Sequence, residues 1–176
     1  MNPAPPLTRI RTGWTVPGLL LTVVERARLE VEVVKAIRVP VAPALLRGLL
    51  QRAARVPEVE ARLPPGAATV AVRLTNDDEL RRLNHDFAGH DAVTDVLSFS
   101  GSDEHLGDLA ISWPMVLRQA QEFGESEETE LSLLSVHGLL HLLGWHHESA
   151  AERTEMTRIT LAALAASGVR IPGGRL

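Results

Sequence analysis

Alternation of apolar and polar residues predicts four β-strands. The segments LEVEVV at 29–34 and ATVAVRLT at 68–75 have the period of two that is typical of a half-buried strand. Two further strands, TDVLSFS at 94–100 and LGDLAIS at 106–112, are joined by the polar turn GSDEH. Such a turn between two strand patterns predicts a β-hairpin.

Helical spacing of apolar residues predicts about five helices. Asn76 and Ser126 are predicted N-caps, because short polar side chains can accept a hydrogen bond from a free backbone N–H. The predicted helices are Pro43–Arg55, 76–84 onward, Pro114–Phe123, Ser126–Leu143 and Ala150–Ala166. The order of elements predicts an α+β fold, a small mixed four-stranded sheet packed with these helices.

Composition sets the domain organisation and the available chemistry. The chain has 176 residues and 45% hydrophobic content, enough for one domain with a substantial core, which we place at residues 18–176 after a loose, Pro-rich leader at 1–17. It has no cysteine, which excludes disulfides and thiolate metal ligands. The apolar run at 18–24 is too short to span a bilayer, so we expect a cytoplasmic protein without a membrane partner.

The densest chemical signal is HGLLHLLGWHH at 137–147, which holds four of the seven histidines. His137 and His141 are four residues apart and share a helix face, while Gly144 offers a helix stop. A turn there can bring back a third imidazole, from His146 or His147. The alternative is that these are core histidines bonded to backbone groups.

The offsets of these histidines match the zinc pattern H-E-x-x-H-x-x-G-x-x-H at every position except one. Gly138 stands where peptidases carry the glutamate that is their general base. The pattern therefore predicts a metal site without peptidase chemistry.

The same segment resembles the hallmark of the YbeY-type endoribonucleases of bacterial ribosomal RNA maturation, H-G-x-L-H-L-x-G-Y-D-H. The resemblance extends to VAVRLTNDDELRRLN, TDVLSF, LGDLAIS and Glu155-Met156, and covers about Thr69 to Met156. It implies one zinc ion held by His137, His141 and His147 on a helix and its following turn, with His137 also the candidate catalytic residue. It further implies a cleft for single-stranded RNA.

The task implied by this resemblance is maturation of the 3′ end of small-subunit ribosomal RNA and ribosome quality control. The implied partners are ribosomal RNA, other single-stranded RNA, and ribosomal proteins or a ribosome-associated GTPase. A three-histidine zinc site leaves a position open for water, lowers the pKa of that water and can polarise a phosphoryl oxygen. The resemblance leaves open whether the metal is catalytic or structural.

Two residues depart from the family pattern. Ala88 replaces an arginine to which the resemblance assigns a phosphate or transition-state contact, and His146 replaces the hallmark aspartate. Residues 1–82 carry a net charge of +5 and residues 83–176 carry −9, so we expect Arg47, Arg52 and Arg55 of the basic half to bind RNA instead. The alternatives are a non-catalytic ribosome assembly factor with structural zinc, or a metallohydrolase of another substrate.

Overall fold

The computed structural model describes residues 28–171 and Arg175, and the predicted leader lies outside them. The strands are β1 (Arg28–Lys35), β2 (Ala67–Thr75), β3 (Val96–Ser100) and β4 (His105–Ser112). They form one sheet in the order β1-β2-β4-β3. The pairs β1/β2 and β2/β4 are parallel and the pair β3/β4 is antiparallel, so the predicted mixed four-stranded sheet is confirmed.

The predicted β3/β4 hairpin is also confirmed, with Val96 opposite Ile111 and Ser100 opposite Gly107. The strand begins at Val96, two residues later than predicted. The carboxylate of Asp95 accepts the Val96 N–H at 2.7 Å, and the Asp95 carbonyl accepts the Ser112 N–H. Asp95 therefore ends the preceding loop and sets the start of β3.

The helices are α1 (Pro43–Ala53), α2 (Pro57–Glu60), α3 (Asp77–Ala88), α4 (Trp113–Phe123), α5 (Glu127–Leu142) and α6 (Ala150–Ala166). Asn76 and Ser126 cap α3 and α5 as predicted. The sequence pattern missed α2, because four residues are too few to show a helical period. Of the helices in the described part of the chain, none has the length and apolar character needed to cross a bilayer.

One face of the sheet carries the core. Alternate residues of the strands, Leu29, Val31, Val70, Val72, Leu109 and Ile111, are buried in a cluster shared with the helices. The opposite face carries exposed residues such as Glu30, Glu32 and Arg73. Helix α5 contacts β3, β4, α1, α4 and α6, so the segment with the histidines runs through the middle of the helical layer.

Candidate metal centre

Three imidazoles converge at the end of α5. The Nε2 atoms of His137 and His141 are 3.1 Å apart, because the two residues are one helical turn apart on the same face. One ring nitrogen from each of His137, His141 and His147 lies within 4.8 Å of the others, which makes the group able to hold a metal ion. Within residues 28–171 and Arg175, no other group of three potential metal ligands comes this close together.

The turn after α5 brings the third imidazole back. Gly144 has a φ of 80°, a left-handed conformation that favours glycine. Trp145 is only 4% exposed and belongs to the buried core cluster. The guanidinium of Arg62 lies 3.6 Å from the Trp145 ring centroid and donates to the Leu143 carbonyl, which fixes this turn from one side.

Arg153 fixes the other side of the turn. Its Nη1 donates to the carbonyl oxygens of His147 at 3.1 Å and Glu148 at 3.0 Å. Arg153 lies in the first turns of α6, whose start is held by a capping box between Ser149 and Glu152. The sequence pattern gives no signal for Arg153, because only the folded geometry brings its side chain to the backbone of His147 and Glu148.

The choice between His146 and His147 is made by this turn. His147 joins His137 and His141 in the ligand group. The ring of His146 lies 6.1 Å from the ring of His141 and lines the neighbouring cleft. His146, which replaces the hallmark aspartate, therefore lies beside the triad.

Electrostatics favour neutral imidazoles at His137 and His141. Burial, followed by the charges of His141 and His147, lowers the pKa of His137 to about 4, while the Asp95 carboxylate opposes this shift. Burial is also the main cause that lowers the pKa of His141. Neutral imidazole nitrogens have the free lone pair that a metal needs, and three of them suit Zn²⁺. The residues therefore fit a divalent metal of this kind.

The triad lies at one end of a cleft of about 570 Å³. The walls come from the segment that enters β3, from α4 and from one face of α5, and they include Thr94, Asp95, Ser98, Ser100, Gln119, Glu130, Leu133, Leu134 and Arg175. From the sequence, Asp95 is interpreted as a turn or edge group in preference to a base or a hydrogen-bond acceptor for a metal-ligand histidine. Its second carboxylate oxygen accepts from Gln119 Nε2 at 3.0 Å, so it is a fixed negative charge in the cleft wall.

Gly138 faces the sheet. A Cβ atom at this position would lie 2.8 Å from Leu109 Cδ2 and 3.3 Å from Val96 Cγ2. Its carbonyl accepts from the Ser98 hydroxyl at 3.3 Å. The position that carries the general base in peptidases is therefore filled by close packing of α5 on the hairpin.

The predicted RNA-binding arginines lie away from this cleft. Arg47, Arg52 and Arg55 belong to α1 or its end, and none of them lines the cleft. The Nε of Arg47 donates to the Val31 carbonyl at 3.2 Å. Ala88 is the exposed last residue of α3, and it too is outside the cleft lining. The role of these arginines in binding RNA stays a prediction.

A mixed sheet covered by helices, with three histidines at the end of an open polar cleft, defines a metal-binding α+β protein of the hydrolase type. The family model described as Endoribonuclease YbeY matches residues 35–168. The chain belongs to this endoribonuclease YbeY family, and it is by that homology a hydrolase that acts on RNA.

Relatives support this membership. The chain is 48% identical over 121 residues to the endoribonuclease YbeY of Chloroflexus aurantiacus, covering 61% of this chain and 78% of the relative. It is 42% identical over 119 residues to that of Moorella thermoacetica, covering 60% and 76%. A solution structure of a Thermotoga maritima protein matches with a TM-score of 0.53 and 26% identity, covering 83% of this chain and all of that one.

Proposed function

We propose that this protein is a zinc-dependent, single-strand-specific endoribonuclease that matures the 3′ end of small-subunit ribosomal RNA and takes part in ribosome quality control. The observation that carries the proposal is the convergence of three imidazoles within 4.8 Å at the end of a cleft. Family membership supplies the RNA substrate.

His137, His141 and His147 would hold the metal. When bound, zinc supplies a Lewis acid that can polarise a phosphoryl oxygen and lower the pKa of a water molecule. The chain itself supplies alignment. Asp95 holds a negative charge close to His137, Gln119 fixes that carboxylate, and the walls of the cleft direct the RNA strand toward the histidines. His137, the ligand whose pKa burial lowers to about 4, is the proposed catalytic residue.

The wider setting follows from the same proposal. The protein works in the cytoplasm as a single domain over residues 18–176, and its partners are ribosomal RNA together with ribosomal proteins or a ribosome-associated GTPase. Arg47, Arg52 and Arg55 provide phosphate contacts outside the cleft. Their distance from the cleft suits a role in overall affinity.

The test compares metal-replete wild type with His141→Ala on ribosomal precursor RNA. We expect His141→Ala to lose cleavage by about two orders of magnitude or more, and its metal content to fall from one equivalent, because two imidazoles hold zinc weakly. Exposed His90 offers the control His90→Ala, which should match wild type in both measurements. Equal cleavage by wild type and His141→Ala would refute the proposal.

A second candidate is a non-catalytic assembly factor with structural zinc, which the missing arginine at Ala88 favours. This candidate predicts that metal-replete wild type binds the precursor RNA without cutting it. A metallohydrolase of peptides is disfavoured, because the packing around Gly138 leaves no room for the glutamate base.

A further inference from the structure

One face of α5 forms the floor of the cleft from end to end. Glu130, Leu133, Leu134, His137 and His141 follow the spacing of three and four residues that places side chains in one stripe, and all of them line the cleft. Glu130 and His137 are two turns apart, about 10 Å along the helix axis. The cleft thus has a histidine end and a second polar end, separated by two leucines.

The second end is built around a buried ion pair. The side chains of Glu130 and Arg175 are 1% and 13% exposed, and Arg175 Nη2 lies 2.6 Å from both carboxylate oxygens. The guanidinium also stacks 3.5 Å from the centroid of the Phe123 ring at the end of α4. These contacts hold the guanidinium in one orientation in the cleft wall.

The ion pair leaves part of the guanidinium unused. An arginine has five N–H donors, and the bonds to Glu130 engage only Nη2. Arg175 Nε is buried and has no hydrogen-bond partner among the described residues. Arg175 lines the cleft through the exposed part of its guanidinium, whose remaining N–H donors can reach an acceptor there.

Charge also singles out this residue. Among the described residues that line the cleft, Arg175 is the only one with a guanidinium or ammonium group, while Asp95 and Glu130 are acidic. The family arginine is replaced by Ala88, which lies elsewhere. A phosphate group of RNA that lies in this cleft away from the histidines therefore has one fixed cation available among the described residues, Arg175.

We propose that Arg175 binds a second phosphate group of the RNA strand, on the part of the strand that extends along α5 from the scissile phosphate. Leu133 and Leu134 lie beneath the nucleotide between these two phosphates. This assignment rests on the proposed function, because it places the scissile phosphate at His137 and His141. It makes Arg175 a substrate-binding residue that sets how long an RNA must be to bind well.

The test uses a variant that avoids a buried unpaired charge. Glu130→Gln with Arg175→Gln replaces the ion pair with two amides that can bond to each other, whereas Arg175→Gln alone would strand the Glu130 carboxylate. Glu130→Gln alone keeps the guanidinium and removes the competing anion. Arg158→Gln removes an arginine that pairs with Glu58 and does not line the cleft, so it is the matched control.

Binding of a fluorescent RNA hexanucleotide is measured by anisotropy without metal, and that of a dinucleotide by competition. We expect the double variant to bind the hexanucleotide about ten- to a hundredfold more weakly, as for loss of a charged hydrogen bond, with dinucleotide binding unchanged. Its salt slope should fall by about 0.7, one single-strand contact. Glu130→Gln should bind the hexanucleotide at least as well as wild type.

The assignment would be overturned if the double variant bound the hexanucleotide within twofold of wild type. It would also be overturned if the double variant lost equal affinity for both RNAs, or if wild type did not bind the hexanucleotide. Failure of the nuclease proposal looks different. In that case, wild type with zinc would leave the RNA uncut, while the length-dependent loss of binding in the double variant would still support a phosphate contact at Arg175.

Discussion

Two individual residues shape the histidine site without being able to bind metal. Gly138 lets α5 approach the hairpin closely, which sets the depth of the adjacent His137 and of His141 one turn further on. Arg153 holds the backbone that carries His147. The geometry of the triad therefore depends on the absence of a side chain at Gly138 and on the guanidinium of Arg153, which is not a metal ligand.

Replacing Gly138 tests the close approach. We expect Gly138→Ala to lower the free energy of unfolding by about 1 kcal/mol or more, because a methyl group 2.8 Å from buried Leu109 overpacks the core by more than alanine gains in helix propensity. Urea unfolding of the metal-free protein measures it.

Gly48 in α1 is the matched control for that experiment. A Cβ atom there meets only the end of the Arg52 side chain, which can move. Gly48→Ala should therefore raise stability by up to about 1 kcal/mol. If Gly138→Ala stabilised the protein as Gly48→Ala does, the packing argument would be wrong.

Replacing Arg153 tests the positioning of the third imidazole. We expect Arg153→Met to weaken zinc binding by about tenfold, because loss of the bonds to the His147 and Glu148 carbonyls frees the turn. Competition with a chromogenic chelator measures the affinity without RNA. Arg158→Met, on the same helix but paired with Glu58, should bind zinc like wild type, and equal affinities for the two variants would contradict the role of Arg153.

At the scale of elements, α3 links the sheet to the cleft wall. Asn84 is buried on α3 and donates to the Ala92 carbonyl at 2.9 Å, which ties down the segment leading to Asp95 and β3. The start of α3 is held by Glu79, which accepts from Thr75 and from Arg73 of β2. Asn84, which ends the matching segment VAVRLTNDDELRRLN, thus anchors one wall of the site.

The pH dependence of this anchor can be measured. The hydrogen bond from Thr75, followed by the bond and charge of Arg73, lowers the pKa of Glu79. A lowered folded pKa means that the carboxylate stabilises the fold above its unfolded pKa and that this stability is lost as pH falls through the folded value.

We therefore expect Glu79→Gln to cost about 1 kcal/mol at pH 7 and less at pH 3, which lies below the unfolded pKa. Denaturant unfolding across this range gives both values. Glu122→Gln, at an exposed site on α4, should show no such convergence. A Glu79→Gln deficit that persisted undiminished at pH 3 would show that the carboxylate charge is not the stabilising feature.

At the scale of the whole molecule, the arginines of α1 lie outside the histidine cleft. Helix α1 packs on β1, α5 and α6, and none of its arginines lines the cleft, which is bounded by β3, α4 and α5. The net charge is −4, so RNA must be attracted by local groups. A long RNA can span both regions, whereas in the cleft Arg175 is the one guanidinium among the described lining residues.

Salt dependence separates these two sources of affinity. Replacing Arg52 and Arg55 with Ala should lower the salt slope for a long single-stranded RNA by about one to two contacts, each worth about 0.7, and leave metal content unchanged. A hexanucleotide should be unaffected. The matched pair Arg158→Ala with Arg81→Ala, two arginines paired with carboxylates outside the cleft, should leave both slopes unchanged. An unchanged slope for the α1 variant would show that Arg52 and Arg55 do not contact RNA.

The sequence by itself determined most of the secondary structure, with α2 as the exception, and the family. The β3/β4 hairpin, the caps at Asn76 and Ser126 and the pairing of His137 with His141 all depend on residues close together in the chain, where periodicity and capping chemistry act locally. The zinc pattern and its missing glutamate at Gly138 could be identified for the same reason.

Only the tertiary structure decided what surrounds those histidines. The contact of Arg175 with Glu130 joins residues 45 positions apart, and the Arg62 bond to Leu143 joins residues 81 positions apart. The reason Gly138 must be small lies in β4, at Leu109. Contacts of this kind leave no periodic signal in the chain, because they depend on how the sheet and the helices pack together. They give the histidine motif a cleft of defined shape and charge.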